Sequence, residues 1–218
     1  MSKQAYAVIG LGRFGSSVAY ELNEAGQEVL GIDINEEKVE DAESIVTHAI
    51  VGDSTDVEVL KTAGIRNFDC VIVAIGNDMQ SSILTTLIIK ELGVKQVIAK
   101  ALSKTHGRVL EKVGADWIIY PERDMGSRVA HQLLSPNVLN YIQLSEEYNI
   151  EEIKIPSSLT EKSLRELDLR ATYNISVIAI VCNEEIIISP SPDHIIHEGD
   201  LLVVIGSRED LAQFVNVK

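Results

Sequence analysis

Short apolar runs alternate with helix-periodic segments from the start of the chain to about residue 120. Tyr6-Ala7-Val8-Ile9 predicts a buried strand, and Val18, Ala19, Leu22 and Ala25 then recur at helical spacing until Gly26 ends the helix. Glu28 to Ile32 form a second strand closed by Asp33, with a helix opening at Asn35-Glu36-Glu37-Lys38. His48-Ala49-Ile50-Val51 is a third strand, ended by Gly52-Asp53 and followed by a helix from Val57 to Ala63. Cys70 to Ile75 give a fourth strand, stopped by Gly76-Asn77-Asp78, with a long helix from Met79 to Leu92. Gln96 to Lys100 are a fifth strand, His106 to Val113 its helix, and Trp117 to Tyr120 a sixth strand. Strands that are apolar almost throughout are buried on both faces, which predicts a parallel sheet covered by helices on each side.

The first strand runs into Gly10-Leu11-Gly12-Arg13-Phe14-Gly15. In a strand-turn-helix this spacing serves a pyrophosphate: Gly10 makes the turn, Gly12 lets backbone N–H groups approach the anion, and Gly15 lets helix and strand pack closely. Asp33 lies eighteen residues beyond Gly15, where a carboxylate accepts the hydroxyls of an adenosine ribose and repels a 2′-phosphate. The plainer alternative is that Asp33 caps the helix at Asn35. Ligands of such sheets sit beyond the carboxyl ends of the strands, so Gly52 and Asp53, Ala74 to Gly76, and Lys100 with Ala101 belong to one expected site. Asp53 can hydrogen-bond the base edge and the open turn at Ile75-Gly76 admits backbone close to the ligand, with an ordinary turn or cap residue as the alternative reading of each. Arg13 adds a bidentate phosphate partner that a plain NAD site does not need, or is a solvated arginine on the helix face. Glu122 follows the sixth strand, either as a carboxylate for a divalent cation or as a first-turn acid on the next helix.

The pattern changes beyond Glu122. Met125, Val129, Leu133 and Leu134 predict an amphipathic helix interrupted by Pro136, with Val138, Leu139, Tyr141 and Ile142 continuing its apolar face. That excursion reads as an exchange or dimer element, or as a helix folded back on its own sheet. From Ser145 a smaller strand-rich region begins, with an alternating stretch Asn149 to Ile155, a helix-like stretch Ser163 to Tyr173, and strands at Ile175 to Val181, Glu185 to Ile188 and Leu201 to Ile205. Ser207-Arg208-Glu209-Asp210 cap a last short helix. The expected architecture is therefore α/β: a Rossmann-type doubly wound parallel sheet over 1–122, a helical linker or dimer element over 123–144, and a second, smaller α+β domain over 145–218.

Composition narrows the functions. With 33 acidic against 19 basic residues the net charge is -14, and no basic cluster exceeds a pair, which argues against direct nucleic-acid binding. No apolar run approaches a membrane span, and Met1-Ser2-Lys3-Gln4 leads straight into a strand, so a cytosolic chain is expected. Cys70 and Cys182 stand singly in apolar strands and read as reduced thiols. His194 and His197 lie three apart without a third ligand type beside them in sequence, and read as surface or hinge histidines. There is no G-x-x-x-x-G-K-[ST] and no Tyr-x-x-x-Lys, which leaves little basis for a kinase or a short-chain dehydrogenase. The expected function is not enzymatic; an NAD(H)-binding redox sensor or a small NAD-dependent oxidoreductase is the alternative.

The glycine turn with its internal Arg13, Asp33-Ile34-Asn35, Gly52-Asp53-Ser54-Thr55, Val71 to Gly76, Gly114-Ala115-Asp116 and Pro121-Glu122-Arg123-Asp124-Met125 together resemble cytosolic RCK regulatory subunits. The resemblance is to the KtrA/KtrC-like subunits of Ktr-type potassium uptake systems, related to TrkA, and it covers essentially the whole chain. It implies an RCK-N and an RCK-C domain, dimers assembled into an octameric gating ring, and a separate membrane potassium translocator as partner. It further implies ATP and ADP as ligands, with Arg13 on the terminal phosphate, Asp33 on the ribose, Asp53 and Thr55 on the adenosine side, and Gly76, Lys100 and His106 completing the pocket. Phe14, Ile34, Asn35 and Ser54 belong to the same motifs, and Glu122 matches a residue associated with a divalent cation. In the C-terminal domain Arg170, Ser176, Val177 and Pro192 fall where relatives receive cyclic di-AMP, with Ser176 standing where related chains often carry Asn. The implied location is the cytoplasm, peripheral to the cell membrane.

Overall fold

The computed structural model describes residues 3–134, 137–183 and 185–215. Met1, Ser2 and Pro136, on which two of the sequence expectations fall, lie outside them. The chain divides into two compact units, Met1–Met125 and Gly126–Lys218.

In the first unit, strands β1 (Ala5–Ile9), β2 (Glu28–Asp33), β3 (His48–Val51), β4 (Cys70–Val73), β5 (Gln96–Lys100) and β6 (Trp117–Ile119) form one sheet. Its order is β3-β2-β1-β4-β5-β6 and every pairing is parallel. Both faces are covered, as the apolar runs require. Ala7, Ile9, Leu30, Ile32, Val71 and Val73 pack into one apolar cluster, while Val8, Val29, Cys70 and Ile72 belong to another. Successive strand residues point to opposite faces, so the alternation within β1 and β4 divides between two cores. Helices α1 (Arg13–Glu24), α2 (Glu36–Ala42), α3 (Val57–Thr62), α4 (Met79–Glu91) and α5 (Lys104–Lys112) connect the strands. Order reverses between β1 and β4, so the ends of these strands flank the crevice where ligands of doubly wound sheets bind. Cys70 is buried and unpaired, and burial pushes its thiol up to about 11, with Asp116 and Asp69 adding to the effect.

Helix α6 spans Pro121–Leu134. The segment after it departs from the expected apolar helix face: Val138–Gln143 is a strand, β7, paired antiparallel with β8 (Tyr148–Lys154). Spacing of Val138, Leu139, Tyr141 and Ile142 suits a helix, but pairing with β8 buries Val138 opposite Ile153 and sets Tyr141 against the second core. The Ser145 hydroxyl closes the hairpin by accepting the N–H groups of Glu147 and Tyr148 at 3.2 and 3.1 Å. Two short helices, α7 (Leu164–Leu167) and α8 (Leu169–Tyr173), then precede β9 (Ser176–Cys182), β10 (Glu185–Ile188), β11 (Leu201–Ser207) and α9 (Arg208–Val215). The second sheet runs β10-β9-β11-β8-β7, antiparallel throughout. Its buried residues include Ile153, Ile180, Leu202, Val204 and Phe214. Among the described residues no helix is long and apolar enough to cross a membrane.

Candidate functional site

The turn after β1 is held by sheet and side chain together. Gly10 N–H donates to the Ile32 carbonyl at 2.8 Å, and the Ala74 N–H to that of Ile9 at 2.7 Å. Gly10 has a φ of 95°, a backbone region that favours glycine, and lies directly against Ala74 and Ile75. Gly15 packs so closely on Gly10 that an added Cβ would enter the Gly10 carbonyl oxygen. A Cβ at Gly12 would meet nothing within 4 Å. The helix start is thus tight where sheet and helix meet and open above Gly12, the N-cap of α1.

Asp33 closes the other side of this turn. Only 7% exposed, its carboxylate accepts the Leu11 N–H at 2.8 Å and the Asn35 N–H at 2.9 Å, with Lys38 Nζ at 3.4 Å. The cap of α2 is Asn35, whose side chain accepts the Lys38 N–H, so Asp33 is not the N-cap of that helix. Each carboxylate oxygen has two acceptor sites, so these bonds leave Oδ1 free to accept a hydroxyl group. Ile34 beside it is exposed.

A cationic cluster stands at the ends of β4 and β5. Lys100, 8% exposed, sends Nζ to Glu122 Oε1 at 2.5 Å, beside Gly76 and 5.7 Å from the centre of the Phe14 ring. The hydrogen bond from Lys100 holds the Glu122 carboxyl below its usual range, and the charges of Lys100 and Arg13 act the same way. Arg13, Phe14, Gly76, Lys100 and Glu122 therefore converge, although they come from separate parts of the sequence. Ala74 and Ala101 are buried behind them, and Ile75 packs on the core.

Other expected residues have more local partners. Asp53 is exposed and accepts from the Thr55 N–H and hydroxyl at 2.9 and 2.7 Å. Ser54 is buried, its hydroxyl 2.8 Å from that of Thr85 on α4, and Gly52 leaves no room for a side chain against Val59. His106 is 0% exposed, so its ring does not reach an open surface in this conformation. Its Nδ1 accepts the Leu102 N–H at 3.3 Å, and Nε2 has no partner among the described residues.

Burial pulls the His106 imidazole below its usual 6.5. A histidine depressed in the folded state binds its proton more readily when unfolded, so its contribution is present above about 6.5 and declines as pH falls toward the folded value. Denaturation of the wild type is expected to lose stability across that window, and His106→Gln to flatten the loss; parallel pH profiles would contradict this.

The second unit contains a cavity of about 420 Å³. Arg170, Ser176, Val177 and Pro192 all line it, joined by Arg165 and Asp168, which no motif in the sequence singles out. Helix α7 shapes one wall through a capping box, in which Ser163 and Glu166 satisfy each other's backbone N–H groups. The Arg165 N–H holds the Pro192 carbonyl at 2.8 Å, fixing the proline loop against the helix start. The Arg165 side chain is engaged with Asp193 at 2.9 Å. Arg170 has no carboxylate partner among the described residues, so the ion pair that would make it merely structural is not formed there.

Comparison with known proteins agrees with both units. The TrkA-N domain family matches residues 6–121 and the TrkA-C domain family residues 150–217. The chain is 52% identical over 212 residues to the Ktr system potassium uptake protein C of Bacillus subtilis (strain 168), covering 97% of this chain and 96% of that one. It is 48% identical over 216 residues to the Ktr system potassium uptake protein A of the same organism, covering 99% and 97%. The GsuK RCK domain shares the fold with a TM-score of 0.66 at 17% identity, over 99% of this chain and 48% of that one. The GsuK channel bound to NAD matches at 26% identity and a TM-score of 0.54, over 98% of this chain and 38% of that one. Two domain families in sequence and relatives matched along nearly their whole length place this chain in the TrkA-N/TrkA-C family, with the Ktr system potassium uptake proteins.

Proposed function

We propose that this chain is a nucleotide-binding regulatory subunit that controls a separate membrane potassium translocator. The observation that carries the reading is the convergence of Arg13 and Lys100 at the mouth of the glycine turn, in a chain whose relatives are potassium uptake proteins. Two cations there suit the terminal phosphates of ATP, while Asp33 suits the ribose and Asp53 with Thr55 the adenosine side. Glu122 exchanges its Lys100 partner for a divalent cation when the phosphates draw Lys100 toward them. Regulation arises because a ligand shifts an equilibrium only by its differential contacts with two states, and a third phosphate supplies such contacts. The assembly is a dimer-based, octameric ring, to which α6 offers Met125, Val129, Leu133 and Leu134, all exposed. The subunit acts at the cytosolic face of the membrane and has no catalytic step.

Calorimetric titration tests the phosphate role. Arg13→Ala should weaken ATP by about 1 to 3 kcal/mol and ADP by clearly less, the size of a lost charge-assisted contact. Equal losses for the two nucleotides would remove Arg13 from the third phosphate. An NAD(H)-sensing reading draws on the NAD-bound channel and on Asp33. Tight NADH binding indifferent to Arg13→Ala would favour it.

The cavity beside Arg170 is assigned to cyclic di-AMP as an inhibitory ligand. Its phosphates meet the Arg170 guanidinium, which no carboxylate engages among the described residues, its bases the apolar wall of Val177 and Pro192, and Ser176 offers a shorter hydrogen-bonding arm than asparagine would. Arg170→Ala should cost cyclic di-AMP about 1.5 to 3 kcal/mol and leave ATP binding unchanged. Retained affinity, or a matching loss for ATP, would contradict the assignment.

A further inference from the structure

Cys182, His194 and Asp200 lie 12 and 6 residues apart along the chain and meet at one end of the second sheet. Leu201 pairs with Val181 across β11 and β9, which brings Asp200, just before β11, beside Cys182 at the end of β9. His194 arrives from the connecting loop, fixed by its own N–H on the Ser191 carbonyl at 2.9 Å and by its carbonyl on the Leu164 N–H at 3.1 Å. Potential ligand atoms of the three side chains all lie within 4.8 Å of one another. His197 is exposed, as a surface histidine is expected to be, whereas His194 lies beside a cysteine and an aspartate. The partners are supplied by strand register rather than by sequence proximity.

Two further observations point to a ligand. His194 Nε2 is buried and has no hydrogen-bond partner among the described residues, a costly state for an imidazole nitrogen. Asp200 is only 8% exposed, and its Oδ2 accepts the His197 N–H at 2.8 Å, a bond that orients the carboxylate.

We propose that Cys182, His194 and Asp200 form a binding site for a divalent transition metal of the zinc class. A thiolate, an imidazole and a carboxylate are the donor set zinc favours, and three protein ligands leave a fourth position for water. Magnesium and calcium prefer all-oxygen sites and are excluded by the sulfur and nitrogen donors. On binding, the metal–sulfur bond replaces the S–H bond, and the released proton passes to solvent buffer. The ion neutralises the thiolate and the buried Asp200 and occupies the orphaned nitrogen of His194. It also ties the loop carrying Pro190 and Pro192, both lining the 420 Å³ cavity, to the sheet.

The test uses the full chain, stripped with chelator and reduced, titrated with Zn2+ against a chromophoric chelator and separately with Co2+. One metal per chain is expected, with a thiolate-to-cobalt charge-transfer band and no competition from excess Mg2+. Cys182→Ser should abolish that band, and His194→Ala should weaken Zn2+ by at least roughly tenfold. His197→Ala, which alters the neighbouring exposed pair with Glu161, should bind as the wild type. Absence of stoichiometric binding, a Co2+ spectrum without the thiolate band, or wild-type affinity in the Cys182 and His194 variants would overturn the site. Cys182→Ser is close in size to the native residue, and its melting temperature without metal shows whether a loss reflects the ligand or the fold.

Discussion

Gly15→Ala is expected to reduce nucleotide affinity on the order of 100-fold, about 2.7 kcal/mol, and to destabilise the first unit by about 1 to 3 kcal/mol, the range for overpacking. The added methyl would enter the Gly10 carbonyl oxygen and press on the Ala74 side chain at 3.2 Å. Backbone cannot move aside as a flexible side chain can, so α1 must lift from β1 and the Gly12 N–H group shifts with it. Gly12→Ala separates the two consequences. Its methyl would meet nothing in the protein, so stability should change by less than about 0.5 kcal/mol. In the proposed site the space it fills is the one a phosphate would use to approach the helix start, so nucleotide affinity should still fall. Denaturation and titration of both variants measure this. Wild-type affinity in Gly12→Ala would mean that the ligand does not use the turn.

Phe214→Ala should cost the second unit about 3 to 5 kcal/mol, the range for removing a buried aromatic ring. Phe214 is fully buried on α9 and meets Tyr173 of α8 edge to face, with centroids 5.2 Å apart. It therefore fastens the last helix to the short helix that carries Arg170, and aromatic pairs of this geometry add to the area term. A loss of this size is a large part of a domain's total stability. Chemical denaturation should show an early transition for the second unit with that of the first unchanged, and a loss below about 1 kcal/mol would place the ring outside the core.

The first unit was largely legible because its instructions are local. A strand, the Gly10-Gly12-Gly15 turn and Asp33 sit within one βαβ segment, and the parallel order follows once six apolar strands alternate with helices. The Lys100–Glu122 pair over Phe14 was less legible, since it joins three strand ends that only the folded sheet brings together. The burial of His106 was not legible either: its ring is wholly enclosed in this conformation, which no local motif announces. The misread segment, Val138–Gln143, has apolar residues at both helical and strand spacings, and its partner strand decides the matter. Cys182 and Asp200 were invisible as a pair for the same reason, because antiparallel register and not sequence distance makes them neighbours.

Potassium flux through a Ktr-type membrane translocator, reconstituted in liposomes with this chain, tests the central claim most directly. With saturating ATP or ADP the wild type should give two clearly different flux rates, and Arg13→Ala should bring the ATP rate to that of ADP. Flux that depends on the chain but is indifferent to both nucleotides, or that tracks NADH instead, would contradict a gate set by the terminal phosphate.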